Sequence, residues 1–362
     1  MRHIGPNLSA SIVRLGIVRE ASPIWFLDTH EKMQSPIGTH ITRKNKMQIQ
    51  SLSIVVPNKE CINHCPFCVS RMLGTLGKSL SIHENLMDIN HPHYDINVRE
   101  YLKRLRYVAD NGCQTIMLTG TSEPQQNKQF LATFALLHQQ IGSPFTNIEM
   151  QTTGFGLDED RDYLRFLRNF VGVNTIALSV NAMDDLTNCK LIGQVIHKGE
   201  LHRTDRGMEV AKTDLPKLSL RKLSKLLLEY GFNIRVCLNL NDAFNGYTGM
   251  EICTWARGEL CAHQITLRKL YTSSYSTPQA KWIKKHSVNK KTLKSIENYL
   301  SYRDVIGKTP YGATIYKGWN SSIVYDKDCM GKNPESDTLK YLILRPNCHL
   351  YSQWDLPETL VF

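Results

Sequence analysis

The chain has 362 residues, of which 41% are apolar and 21% charged, a composition that allows a sizeable core and argues against global disorder. Lysine and arginine outnumber aspartate and glutamate by 44 to 33, a formal charge of +11 that favours anionic ligands. No apolar run approaches the ~18–20 residues of a membrane span, and the start of the chain has charges throughout and no apolar core segment, so the expected location is the cytoplasm, without membrane contact.

Residues 1–50 are mixed, end in the basic stretch His40–Lys46, and read as an N-terminal extension. A regular alternation begins at Ser51. Ser51–Pro57 is β-branched and reads as a buried strand, and Val98–Asn111 spaces Tyr101, Leu102, Leu105 and Val108 as a helix does. Further strands are expected at Cys113–Leu118, Asn147–Thr152, Val173–Val180, Asn233–Leu240 and His263–Leu270. Helices are expected between them at Phe130–Ile141, Asp158–Phe170, Leu218–Tyr230 and Met250–Cys261. Strand followed by helix, repeated, implies a parallel sheet with right-handed crossovers. About six such units make an α/β fold, a partial (β/α)6 TIM-like barrel whose active site sits at the C-terminal strand ends.

Residues 51–308 are read as the barrel. Beyond them, Thr314–Tyr316, Ser322–Tyr325, Lys340–Arg345 and His349–Trp354 read as short strands, so 309–362 is a β-rich C-terminal cap. The segment Asp184–Pro216, rich in lysine, arginine and histidine, is an insertion long enough to serve as a lid or substrate contact, although its composition also suits an ornament without fixed structure. The lysine-rich run Lys281–Lys294 reads as a solvated face.

Seven of the ten cysteines are scattered. The other three are Cys61, Cys65 and Cys68, spaced C-x3-C-x2-C directly after the first strand. Thiolates bind iron well, and one short loop can wrap three corners of a cubane while leaving the fourth iron open to a small molecule. A zinc knot of Cys61, His64, Cys65 and Cys68 is the competing reading, but adjacent ligands reach one tetrahedral ion poorly.

This segment, with the aromatic Phe67 just before the third cysteine, resembles the radical S-adenosylmethionine (SAM) superfamily, most closely its branch with the molybdenum-cofactor cyclase and peptide-modifying enzymes. The likeness extends over about Ser51–Leu270. It implies an oxygen-sensitive enzyme with one [4Fe–4S] cluster on Cys61, Cys65 and Cys68, and SAM as the second cofactor. It also implies an electron donor such as flavodoxin or ferredoxin, with reductive cleavage of SAM to a 5′-deoxyadenosyl radical. Gly120-Thr121-Ser122-Glu123-Pro124 resembles the segment that holds the SAM amino group, departing from it where Thr121-Ser122 replaces the second glycine. By the same resemblance, Phe67, Glu123, Ser179 and Asn181 are candidate cofactor-binding residues, and Gln151 joins them as a polar residue at the end of the third strand. Thr153, Asn239, Asn241 and Arg268 stand at neighbouring strand ends. No residue is singled out as catalytic, and His91 and His93 read as surface histidines.

The charge favours an anionic small molecule or nucleotide as substrate. Modification of a peptide or RNA is the alternative within the family, and a non-catalytic iron–sulfur redox sensor the alternative outside it.

Overall fold

The computed structural model describes residues 48–58, 60–74, 97–120, 122–204, 207–272, 276–308, 313–327, 338–354 and 359–362, and the side chains of 72–74, 199–212 and 338 are outside it. The extension 1–47, His91, His93, Thr121 and Cys329 therefore lie outside the described residues.

In chain order the elements are β1 (Gln48–Ile49), β2 (Ser51–Val55), α1 (Val69–Gly74), α2 (Val98–Asp110), β3 (Thr115–Thr119), α3 (Lys128–Gln140) and β4 (Asn147–Thr152). Then come α4 (Arg161–Arg165, continued by a π-turn over Phe166–Val171), β5 (Thr175–Val180), α5 (Asp185–Ile192), β6 (Val195–Thr204) and β7 (Gly207–Pro216). They are followed by α6 (Leu220–Glu229), β8 (Asn233–Leu240), α7 (Gly249–Gly258), β9 (Gln264–Lys269), α8 (Pro278–Lys285) and α9 (Lys290–Ser301). The strands β10 (Val305–Lys308), β11 (Thr314–Lys317), β12 (Ser322–Asp326), β13 (Thr338–Leu339), β14 (Leu342–Leu344) and β15 (Leu350–Tyr351) complete the chain.

The main sheet runs β10-β11-β12-β9-β8-β5-β4-β3-β2-β14-β15. Its centre is the expected run of six parallel strands, β2 to β9. The C-terminal strands extend this sheet at both edges, β12 pairing parallel with β9 and β14 parallel with β2. Pro346-Asn347 turns the β14–β15 hairpin, where Cys348 N–H donates to the Arg345 carbonyl.

Strand alternation sorts the side chains into two faces. Leu52, Ile54, Ile148, Met150, Ile176, Leu178, Val236 and Leu238 join one core with the helices, including the stripe Leu220, Leu223 and Leu227 of α6. Helix starts are capped by side chains: Asn97 accepts from Glu100 N–H, and Thr248 and Glu251 form a reciprocal capping box. The opposite faces of the strands point into the barrel, and in the β5–β9 half they are polar. There Ser179, Asn181, Arg235, Asn239, Gln264, Thr266 and Arg268 alternate with the core residues. Glu149, 2% exposed, meets Arg235 there at 2.8 Å.

Where the sequence suggested either a lid or an unstructured ornament, the 184–216 segment consists of α5 and an antiparallel arm in which β6 and β7 pair over ten residues each. Their described strands pair only with each other. The run 281–294, expected to be a solvated face, covers the second half of α8 and the start of α9.

Candidate functional site

β2 delivers the cysteines to the C-terminal mouth of the barrel. Its backbone pairing with β3 continues one residue beyond the strand, where Val56 N–H donates to the Thr119 carbonyl at 2.7 Å. The loop then passes so close to the end of β3 that a Cβ on Gly120 would lie 2.6 Å from the Val56 carbonyl oxygen. Only glycine fits there, which accounts for the one glycine kept from the family-like segment.

Cys61, Cys65 and Cys68 are free and half-buried on this loop. Cys68 N–H closes a turn onto the Cys65 carbonyl at 3.2 Å, and Asn63 N–H donates to Cys61 Sγ at 3.4 Å. Burial pushes the Cys65 thiol well above its usual range, and nearby Cys68, Glu123 and Cys61 push it further. The Cys61 thiol is raised as well, by burial first, with Glu123 and Cys68 adding to it. Three thiolates and a carboxylate so close together repel unless a cationic centre sits among them, so the donor set suits an iron–sulfur cluster. Among the described residues no three His, Cys, Asp or Glu side chains are arranged around one metal ion; a cubane makes no such demand, since each thiolate takes a different iron. His64, the extra ligand of the zinc reading, is exposed, and its Nδ1 receives Arg71 Nη2 at 3.0 Å.

Glu123 is buried at 6% exposure and ties the loop to β3 and β4. Its Oε1 accepts from Asn63 Nδ2 at 2.8 Å and its Oε2 from Gln125 Nε2 at 2.9 Å. The Thr152 hydroxyl also donates to Oε2, and Thr153 N–H reaches both oxygens at 3.2 Å. Asn63 Nδ2 reaches Thr153 Oγ1 as well, at 3.0 Å. From the base of the β6–β7 arm, Gln194 Nε2 donates to the Ile62 carbonyl at 2.6 Å and to Asn63 Oδ1 at 3.2 Å. His64 N–H meets the Ile192 carbonyl at 2.9 Å. The inserted segment thus forms the bed on which the cysteine loop rests.

Of the other candidates, Asn181 is 1% exposed and joins Asn239 and Asn241 in one cluster. Its Oδ1 accepts from Asn239 Nδ2 at 3.0 Å, its carbonyl from Asn241 Nδ2 at 2.8 Å, and its N–H donates to Asn188 Oδ1 at 2.9 Å. Ser179 lies two residues earlier on the same face of β5. Gln151 donates to Glu149 Oε1 at 3.4 Å and Met117 Sδ at 3.6 Å. The Phe67 ring is buried against Trp282 of α8, centroids 5.4 Å apart, in an apolar cluster with Ile283, Cys65, Leu191, Leu270 and Tyr271. Ser122 Oγ and Gln125 Oε1 beside Glu123, and Asn188 Nδ2 beside Asn181, are buried without a partner among the described residues. Buried polar atoms of this kind call for a ligand or water, so the surroundings of Glu123 and Asn181 suit a polar cofactor.

Asn63, Gln125, Gln194 and Trp282 were not anticipated. Asn63, lying between the first two cysteines, was within reach of the motif; Gln194 follows the triad by about 130 residues and bears no local mark.

Residues 55–219 match the model of the radical SAM superfamily. The match is to a radical SAM domain, over somewhat less than half of the chain. The domain implies a [4Fe–4S] cluster and SAM as cofactors, and Cys61, Cys65 and Cys68 are the thiols that suit the cluster. Solved structures similar to the chain include native anSMEcpe with bound AdoMet, at 13% identity and a TM-score of 0.43, over 70% of this chain and 60% of that one. Native anSMEcpe with bound AdoMet and Cp18Cys peptide is similar at 12% identity and 0.46, over 86% and 75%. The FeFe-hydrogenase maturase HydG from Carboxydothermus hydrogenoformans is similar at 14% and 0.36, over 70% and 53%. The chain thus spans 60% of the length of the first of these structures. No curated protein matches. No helix among the described residues is long and apolar enough to cross a membrane.

Proposed function

We propose that this chain is a cytosolic radical SAM enzyme that takes a hydrogen atom from an anionic small molecule or nucleotide, supplied with electrons by a flavodoxin- or ferredoxin-type donor. The observation that carries the reading is the set of three free, half-buried cysteines on one short loop at the barrel mouth, tied down by the buried Glu123–Asn63 network. When bound, the cluster and SAM supply reductive cleavage to methionine and a 5′-deoxyadenosyl radical.

The protein's own contribution is placement. Cys61, Cys65 and Cys68 hold the cluster from one side, and Gly120 lets the loop approach β3. Ser122 Oγ and Gln125 Oε1, without a partner among the described residues, offer hydrogen bonds to the polar end of SAM. Phe67, Trp282 and Ile283 form an apolar wall that keeps water from that side. Ser179 and Asn181, at the end of β5, are further groups for SAM, and Asn239 and Arg268, on the same inner face of the barrel, are the groups for a hydrophilic substrate.

A peptide substrate is the second reading, favoured by the β6–β7 arm, whose described strands leave their outer edges open to an added strand. The test is anaerobic reconstitution with iron and sulfide, then incubation with SAM and dithionite. Cluster-dependent 5′-deoxyadenosine, absent from Cys65→Ala, is expected. A stable cluster that never cleaves SAM would return the chain to the redox-sensor reading, and bound zinc in place of iron would overturn both.

A further inference from the structure

A cavity of about 680 Å³ lies beside the site, at the C-terminal rim of β8 and β9 against α8. That is the size of an ordinary small-molecule pocket, roughly 300–1,000 Å³. Among the described residues its charged lining is entirely positive, with Lys269 at the end of β9 and Lys281 and Lys284 on α8. Thr272, Ser276 and Ser287 add hydroxyls, and Leu240 and Val288 add apolar surface.

Two observations separate this cavity from an ordinary solvated lysine face. Among the described residues none of the three lysines makes an ion pair; Asp242, at the same rim, is taken by His286 Nδ1 at 2.8 Å. Lys281 and Lys284 are also three apart on one helix and so share a face, where like charges repel. A dianionic group between them and Lys269 would relieve that repulsion while its hydration is replaced by ammonium and hydroxyl donors. Ile283 lines the cavity and also packs in the cluster around Phe67 and Cys65, so the cavity adjoins the wall of the proposed radical site.

We propose that this cavity binds the phosphate ester of a small phosphorylated substrate, with Lys269, Lys281 and Lys284 as the phosphate contacts. The assignment rests on the radical SAM reading for what happens to the substrate, and on the cavity alone for binding. A volume of about 680 Å³ matches a small molecule.

The test is calorimetric titration of the full chain, both reconstituted and unreconstituted, with inorganic phosphate, a nucleoside monophosphate, a hexose phosphate and a short RNA. Saturable binding of at least one phosphorylated small molecule is expected, weakened tenfold or more in Lys281→Ala/Lys284→Ala and unchanged in Lys290→Ala. Preference between the nucleotide and the sugar phosphate identifies the class of substrate. Binding that ignores the double substitution, no binding by any small phosphate, or binding of RNA alone would overturn the proposal. Because the unreconstituted chain is titrated too, absence of phosphate binding and absence of SAM cleavage are separate results.

Discussion

The two sides of the barrel mouth treat their polar groups in opposite ways. On the cysteine side, Asn63, Glu123, Thr152, Thr153 and Gln194 are buried and bonded to one another, so the loop has one arrangement. On the α8 side, Lys269, Lys281 and Lys284 face a cavity without an ion-pair partner among the described residues. A satisfied buried network fixes geometry, whereas charges left around a cavity are a standing preference for a ligand. The first side is built to hold a centre in place, and the second is built to receive something that comes and goes.

The hardest blow to that distinction is Glu123→Ala. It leaves the amides of Asn63 and Gln125, the Thr152 hydroxyl and Thr153 N–H without their shared acceptor. A loss of about 3 kcal/mol or more is expected, at the usual cost of about 1–3 kcal/mol for each buried group left unsatisfied. The expected readouts are a lower melting temperature and poor iron retention after reconstitution. Wild-type stability in this variant would show that the network does not fix the loop.

Gly120→Ala follows. The added methyl meets backbone at 2.6 Å rather than a side chain that can turn aside, so β2 and β3 must part at their ends. Overpacking of this kind costs about 1–3 kcal/mol. Iron content per chain should fall even in the fraction that remains folded.

The sequence disclosed the barrel because its strands and helices carry strong periodicity: the strand limits Asn147–Thr152 and Asn233–Leu240 coincide with those of the structure, and the α6 leucines form the expected buried stripe. It disclosed the cysteines because their spacing is local. The arm was not legible, since the basic, mixed composition of 195–216 has little apolar alternation to mark strands. Nor was the second role of Glu123, which appears only when Asn63 and Thr153 arrive from two other strand ends. Contacts made across the chain leave no pattern along it. Gln194→Ala tests the most remote of them: the Ile62 carbonyl and Asn63 Oδ1 lose their donor, for about 1–2 kcal/mol. A broadened or shifted electron paramagnetic resonance signal of the reduced cluster is expected, and an unchanged signal would mean the arm does not support the loop.

Lys281 and Lys284 are exposed and, among the described residues, bonded to nothing that a truncation would strand, so Lys281→Ala/Lys284→Ala should change unfolding free energy by no more than about 0.5 kcal/mol. Alanine is the better helix former, and removing two like charges from one face relieves repulsion, so any shift should be upward. Thermal unfolding of the double variant measures this directly. A substantial loss of stability would mean that the lysines hold α8 in place, and the α8 side would then resemble the cysteine side. An unchanged or raised melting temperature, together with weakened phosphate binding, would show that these charges serve the ligand and not the fold.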